Sequence, residues 1–254
     1  MQRWLSILLL VGVGAYAAAC LALLLMQRSY IYYPPATPML QAPRTSTLEV
    51  PGAIVKVSER PAQGPQAVIY LGGNAEDVTM SLPLLDEAFP AHALYLLHYR
   101  GYLGSTGKPG EAANVADALA LFDRVMAEHG EVVVIGRSLG SGIAVQVASQ
   151  RPVKQLVLVT PYASLQDIAA AHFSYFPVRW LLRDKYESWR YAPQVKAPAL
   201  VLAAERDEII PASSTAQLLS RFQPGLATLH VIRGTGHNTI SESPAYLAHL
   251  RSAR

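Results

Sequence analysis

Three short stretches hold residue types that could do nucleophilic chemistry together. Gly136-Arg137-Ser138-Leu139-Gly140 sets a serine between two glycines. A hydroxyl is a weak nucleophile and needs a base, and the base needs a carboxylate to orient it. His237, in Gly234-Thr235-Gly236-His237-Asn238, could be that base. Asp207, in Glu205-Arg206-Asp207-Glu208-Ile209-Ile210-Pro211, could be the carboxylate. Glu205 and Glu208 compete for the acid role, and Asp207 is preferred because Pro211 marks the next helix start at the expected distance. The chemistry open to such a set is acyl transfer, in which backbone N–H groups must hold a developing oxyanion. The N–H of Leu139, directly after the serine, is one candidate donor. The N–H of Asn74, in Leu71-Gly72-Gly73-Asn74-Ala75, is the second, because the glycines let the backbone approach a substrate.

Other chemistries find little support. Cys20 is the only cysteine, which excludes a disulfide framework and a thiolate zinc site. The seven histidines are scattered without an HExxH or His-x-His pattern, so no metal and no cofactor is expected. The net charge is only +3 and no Lys/Arg cluster is present, so nucleic acid is not an expected partner. A nucleotide-binding reading of Gly136, Gly140 and Gly142 fails on spacing, and Arg137 and Leu139 are bulky for a phosphate-binding turn.

The elements that must position these residues are short apolar runs at 67–71, 94–97, 132–135, 156–159, 200–202 and 229–232. Rich in Val, Ile and Leu, they fit strands buried on both faces of a parallel sheet. Helical spacing lies between them: Val115, Leu119, Phe122, Val125 and Met126; Ile143, Ala144 and Val147; Leu218, Leu219 and Phe222. The alternation predicts an α/β fold with a doubly wound, mostly parallel sheet. Residues 47–50 and 54–58 flank Pro51-Gly52 as an opening hairpin. In this frame Ser138 sits on a strand–turn–helix, the context that makes G-x-S-x-G a nucleophile elbow. Asp207 and His237 follow later strands in the order that such a fold requires. Residues 162–191 interrupt the alternation and hold eight of the 21 aromatic residues, as expected of a short lid-like insertion.

Residues 4–26 carry no charge, and as a helix they would reach roughly 34 Å, enough to cross a hydrocarbon core. Arg3 and Arg28 bracket this run, and Trp4, Tyr30, Tyr32 and Tyr33 suit the interfaces. Ala15-Tyr16-Ala17 and Ala17-Ala18-Ala19 resemble signal-peptidase patterns, but the apolar run continues beyond them, which favours an uncleaved single-pass anchor. The flanking charges do not select an orientation. Pro34, Pro35, Pro38 and Pro43 then punctuate an extended linker. The expected organisation is an anchor at 1–28, a linker at 29–44 and one domain at 45–254.

On Leu71 to Ala75, Tyr99-Arg100-Gly101-Tyr102-Leu103-Gly104-Ser105-Thr106-Gly107, Gly136 to Gly140, Glu205 to Pro211 and Gly236-His237, the chain resembles the α/β-hydrolase superfamily. More narrowly, it resembles the membrane-anchored serine hydrolases related to monoacylglycerol and lysophospholipid hydrolases, depalmitoylases and serine-aminopeptidase-like domains. Two departures stand out: Gly72 replaces the usual histidine of the oxyanion loop, and His98 replaces the usual Asp or Asn before Tyr99. The resemblance implies an esterase or thioesterase acting on a small or lipid-like acyl substrate through Ser138, Asp207 and His237. A peptidase or amidase of the same fold, and a catalytically silent membrane-anchored binding protein, are the alternatives.

Overall fold

The computed structural model describes residues 1–35, 40 and 42–253; Pro38 of the expected linker and Arg254 of the expected domain lie outside the described residues. After helix α1 (Gln2–Ile31), the strands are β1 (Arg44–Val50), β2 (Ala53–Arg60), β3 (Gln66–Leu71), β4 (Ala93–Leu97), β5 (Glu131–Arg137), β6 (Gln155–Val159), β7 (Ala199–Ala204) and β8 (Ala227–Ile232). They form one sheet in the order β1-β2-β4-β3-β5-β6-β7-β8. β2 runs antiparallel to β1 and β4, and the remaining pairs are parallel. The remaining helices are α2 (Leu82–Ala88), α3 (Glu111–His129), α4 (Leu139–Gln150), α5 (Leu165–His172), α6 (Val178–Leu181), α7 (Ser188–Tyr191), α8 (Ala212–Leu219) and α9 (Pro244–Arg251).

The pleat explains why the strand sequences are apolar throughout. In β3, Ala67, Ile69 and Leu71 face a core built with α3, α4 and α8, while Val68 and Tyr70 face a second core built with α2 and α9. Both faces are covered, so alternation disappears from the sequence. The exception is β8, expected to be buried on both faces. Leu229 is 36% and Val231 53% exposed, because β8 is the last strand of the sheet and only Ile232 of this run reaches the core. The chain leaves β3 toward β4 on one side and returns to β5 on the other. The carboxyl ends of β3 and β5 therefore flank a topological switch point, where such sheets keep their ligands.

α1 runs past Arg28 to Ile31 and is long and apolar enough to cross a membrane, by length and composition. Its last turns are tied to the sheet body. Arg28 Nε is 2.9 Å from an Asp184 oxygen, and the buried Tyr32 hydroxyl meets Asp184 at 3.2 Å and the Tyr186 hydroxyl at 2.9 Å. The aromatic insertion divides in two. Tyr162 and Tyr186 are buried in the main core, whereas Tyr175 and Trp180 are 88% and 87% exposed.

The tightest packing lies where β5 turns into α4. A Cβ on Gly140 would fall 2.1 Å from the Leu71 carbonyl oxygen and 2.6 Å from that of Gly72, both backbone atoms that cannot swing away. A Cβ on Gly136 would fall 2.5 Å from the Gly140 carbonyl oxygen. Gly140→Ala is therefore expected to destabilise the fold by about 3 kcal/mol or more, read as a lowered midpoint in thermal or denaturant unfolding. An unchanged midpoint would contradict this packing.

Candidate active site

β5 delivers Ser138 onto a turn with φ 48° and ψ −117°, a left-handed conformation that a serine occupies only at a cost of about 1–3 kcal/mol. Hydrogen bonds hold it there: Ser138 N–H donates to the Val159 carbonyl at 2.9 Å, and its own carbonyl accepts from Ser141 Oγ at 2.6 Å. The Ser138 hydroxyl therefore stands at the N-terminus of α4, where the helix dipole favours negative charge.

His237 arrives from the loop after β8, and its ring is buried. Its Nε2 lies 2.9 Å from Ser138 Oγ. Its Nδ1 lies 2.9 Å from each carboxylate oxygen of Asp207, which arrives from the loop after β7. The structure thus brings together the three residues that the sequence separates by as much as 99 positions. The two competing acids hold the histidine loop instead. Glu205 Oε2 accepts from Gly234 N–H at 2.8 Å, and Glu208 Oε2 accepts from His237 N–H at 3.1 Å. Burial opposes ionisation of Asp207. Hydrogen bonds from His237, Ile210 N–H and Ile209 N–H outweigh that and hold its carboxyl below the usual carboxylate range.

The loop after β3 faces Ser138 from the other side, with a Cβ on Gly73 only 3.7 Å from Ser138 Cβ. Gly73 N–H is occupied, donating to Glu76 Oε2 at 2.7 Å. Among the described residues, neither the Asn74 N–H nor the Leu139 N–H makes a hydrogen bond to a protein acceptor. The side-chain amide and the carbonyl of Asn74 are engaged by protein partners. Its Nδ2 donates to the Ile31 carbonyl at 3.2 Å, and its carbonyl accepts from Tyr33 N–H at 3.2 Å and from the Tyr102 hydroxyl. Tyr99 Oη likewise donates to the Gly72 carbonyl at 2.8 Å. Arg100, bonded to both Asp117 oxygens at 2.8 and 2.7 Å, fixes the loop that carries these tyrosines. His98 is buried against Ser58 Oγ at 2.7 Å, and burial lowers its pKa, so it supports the end of β4 as a neutral ring.

Sequence reasoning did not anticipate Glu76, Arg137 or the tie to the end of α1. Glu76 accepts from the Tyr70 and Ser81 hydroxyls at 2.6 and 2.7 Å, and its other oxygen lies 3.7 Å from Arg137. Arg137 also donates to the Asn238 carbonyl at 3.3 Å, so one guanidinium joins the loops after β3 and β8 across the elbow. Its place between Gly136 and Ser138 was the one local signal available.

Residues 106–246 match the Dienelactone hydrolase family model. The chain is 34% identical over 234 residues to the uncharacterized protein Rv2307c of Mycobacterium tuberculosis, covering 84% of this chain and 80% of that one. It is 27% identical over 210 residues to the lysophosphatidylserine lipase ABHD12 of Xenopus tropicalis, covering 70% of this chain and 54% of that longer one. Among solved structures, the Pyrococcus furiosus esterase Pf2001 superposes with a TM-score of 0.71 at 15% identity, over 87% of this chain and 97% of that one.

A carboxyl whose pKa is depressed on folding contributes stability above its unfolded-state pKa and loses it as pH falls through the folded value. The difference in melting temperature between wild type and Asp207→Asn is therefore expected to be largest above about pH 5 and to shrink as the pH drops below 3.8. A difference that grows on acidification would remove Asp207 from this role.

Proposed function

The chain belongs to the dienelactone hydrolase family within the α/β-hydrolase superfamily, and on that footing we propose that it is a membrane-anchored serine hydrolase cleaving a carboxylic ester or thioester of a lipid-like acyl substrate. The observation that carries the reading is the continuous line from Asp207 through His237 to Ser138, with every step at 2.9 Å and the serine at φ 48°. Ser138 Oγ attacks the acyl carbon while His237 Nε2 takes its proton. Asp207 stabilises the imidazolium so formed. The tetrahedral oxyanion is held by the N–H groups of Leu139 and Asn74, which have no competing acceptor among the described residues. Collapse of this intermediate expels the alcohol or thiol, protonated by His237, and leaves an acyl group on Ser138. Water, deprotonated by His237, then releases the carboxylic acid, and the cycle needs no cofactor.

The lipid-like substrate is supported by the lysophosphatidylserine lipases among the relatives and by the apolar helix tied to the same loop as Asn74. Full-length protein in detergent is expected to react with a fluorophosphonate probe, and Ser138→Ala to abolish the labelling. Asp207→Asn should retain weak labelling and lower kcat by about ten-thousand-fold. A folded wild type that stays unlabelled would overturn the proposal.

A further inference from the structure

α1 does more than hold the chain to a membrane, because one face of it closes the cavity above Ser138. That cavity measures about 570 Å³, within the range of pockets that enclose one small ligand. Ser138 and His237 lie at its floor beside Asn74. Ile168, Phe173 and Phe176 of the aromatic insertion form one side. Leu23, Gln27, Tyr30 and Ile31 of α1 form another. Ile31 is at the floor, since its carbonyl accepts from Asn74 Nδ2. Leu23 is two turns away, about 12 Å along the helix axis. The cavity therefore extends along α1 away from the serine, into the part of the helix that carries no charge.

The insertion follows α1 in the same direction. Near Arg28, Gln27 Nε2 donates to the Leu181 carbonyl at 3.1 Å, and Gln27 Oε1 accepts from Arg183 N–H at 2.6 Å. Farther along, Tyr16 donates to the Tyr175 carbonyl at 2.9 Å and stacks on Phe176 with centroids 5.8 Å apart. From Gln27 to Tyr16 the helix rises about 16 Å. Arg28 and Asp184 mark the polar end of this seam; Tyr175 at its other end, and Trp180 of α6, stand almost fully exposed. Aromatic side chains left open beside an uncharged helix match the lower-polarity part of a bilayer rather than water. Within the insertion, Arg179 pairs with Asp167 at 3.0 Å and has a long stem able to carry its charge outward.

We infer that the acyl chain reaches the site from the bilayer leaflet, through the seam between α1 and residues 165–182, with Leu23 at the outer end of the cavity. The favoured substrate is a long, single-chain acyl ester already dissolved in the leaflet, whose carbonyl slides to Ser138 without the chain passing through water. This inference rests on the membrane-anchored hydrolase reading above and adds the route and the chain that the site selects.

The test uses full-length protein in phosphatidylcholine vesicles, with p-nitrophenyl palmitate in the bilayer and p-nitrophenyl acetate in solution. The readout is the ratio of kcat/KM for palmitate to that for acetate, so loss of folded protein cancels. Leu23→Trp, which fills the seam, is expected to lower that ratio about tenfold or more. Leu23→Ala, which widens it, should hold or raise the ratio. Leu25→Trp, on the outward side of α1 where Leu25 is 71% exposed, should leave the ratio at the wild-type value. An unchanged ratio in Leu23→Trp, or an equal fall in Leu25→Trp, would overturn the route. A wild type inert toward both esters would instead sink the hydrolase reading, and this inference with it.

Discussion

The arrangement hangs on one contact between backbones, the crossing of the β5–α4 turn over the end of β3. Gly140 lies so close to the Leu71 and Gly72 carbonyls that no side chain fits between them. That approach sets the start of α4 and the direction of its dipole. It also sets the distance between the serine turn and the loop after β3. Ser138 is held at φ 48° because its own N–H is bound to the Val159 carbonyl and its own carbonyl to Ser141. The strain at Ser138 is small beside the packing that enforces it, and this keeps the hydroxyl in one place.

Around that fixed point, charge is distributed so that each ionised group meets one task. The three acids after β7 resemble one another in sequence, yet they reach three different donors: Gly234 N–H, the His237 ring and His237 N–H. The first and last hold the loop; the middle one holds the imidazole. Arg137 and Glu76 repeat the pattern on the other side, joining the loops after β3 and β8 through one partly buried pair. Such a pair adds little by Coulomb attraction alone, but it fixes the relative position of two loops that share no covalent neighbour.

The end of α1 is a third support. Ile31 and Tyr33 hold the side chain and carbonyl of Asn74, while Tyr102 holds the same carbonyl from beneath. The backbone of Asn74 is thus clamped on one side by the sheet domain and on the other by the apolar helix. Any tilt of α1 relative to the sheet would be felt at the proposed oxyanion donor.

By itself the sequence determined what depends on short-range pattern. Buried parallel strands read as continuous Val/Ile/Leu runs because both faces are covered. Gly136-Arg137-Ser138-Leu139-Gly140 read as an elbow because the glycine requirement is local, and the chain order of Ser138, Asp207 and His237 followed from the strand order. Residues 4–26 read as a long apolar helix from composition alone. Tertiary structure decided what depends on which strand is last and which loops meet. β8 is half exposed because it is the edge strand of the sheet, a fact no window of 229–232 contains. Asp207 rather than Glu205 or Glu208 faces His237 because loop geometry, not residue type, selects among neighbouring carboxylates. Arg137 with Glu76, and Asn74 with Ile31 and Tyr33, were illegible for the same reason: each joins segments that only the folded sheet places side by side.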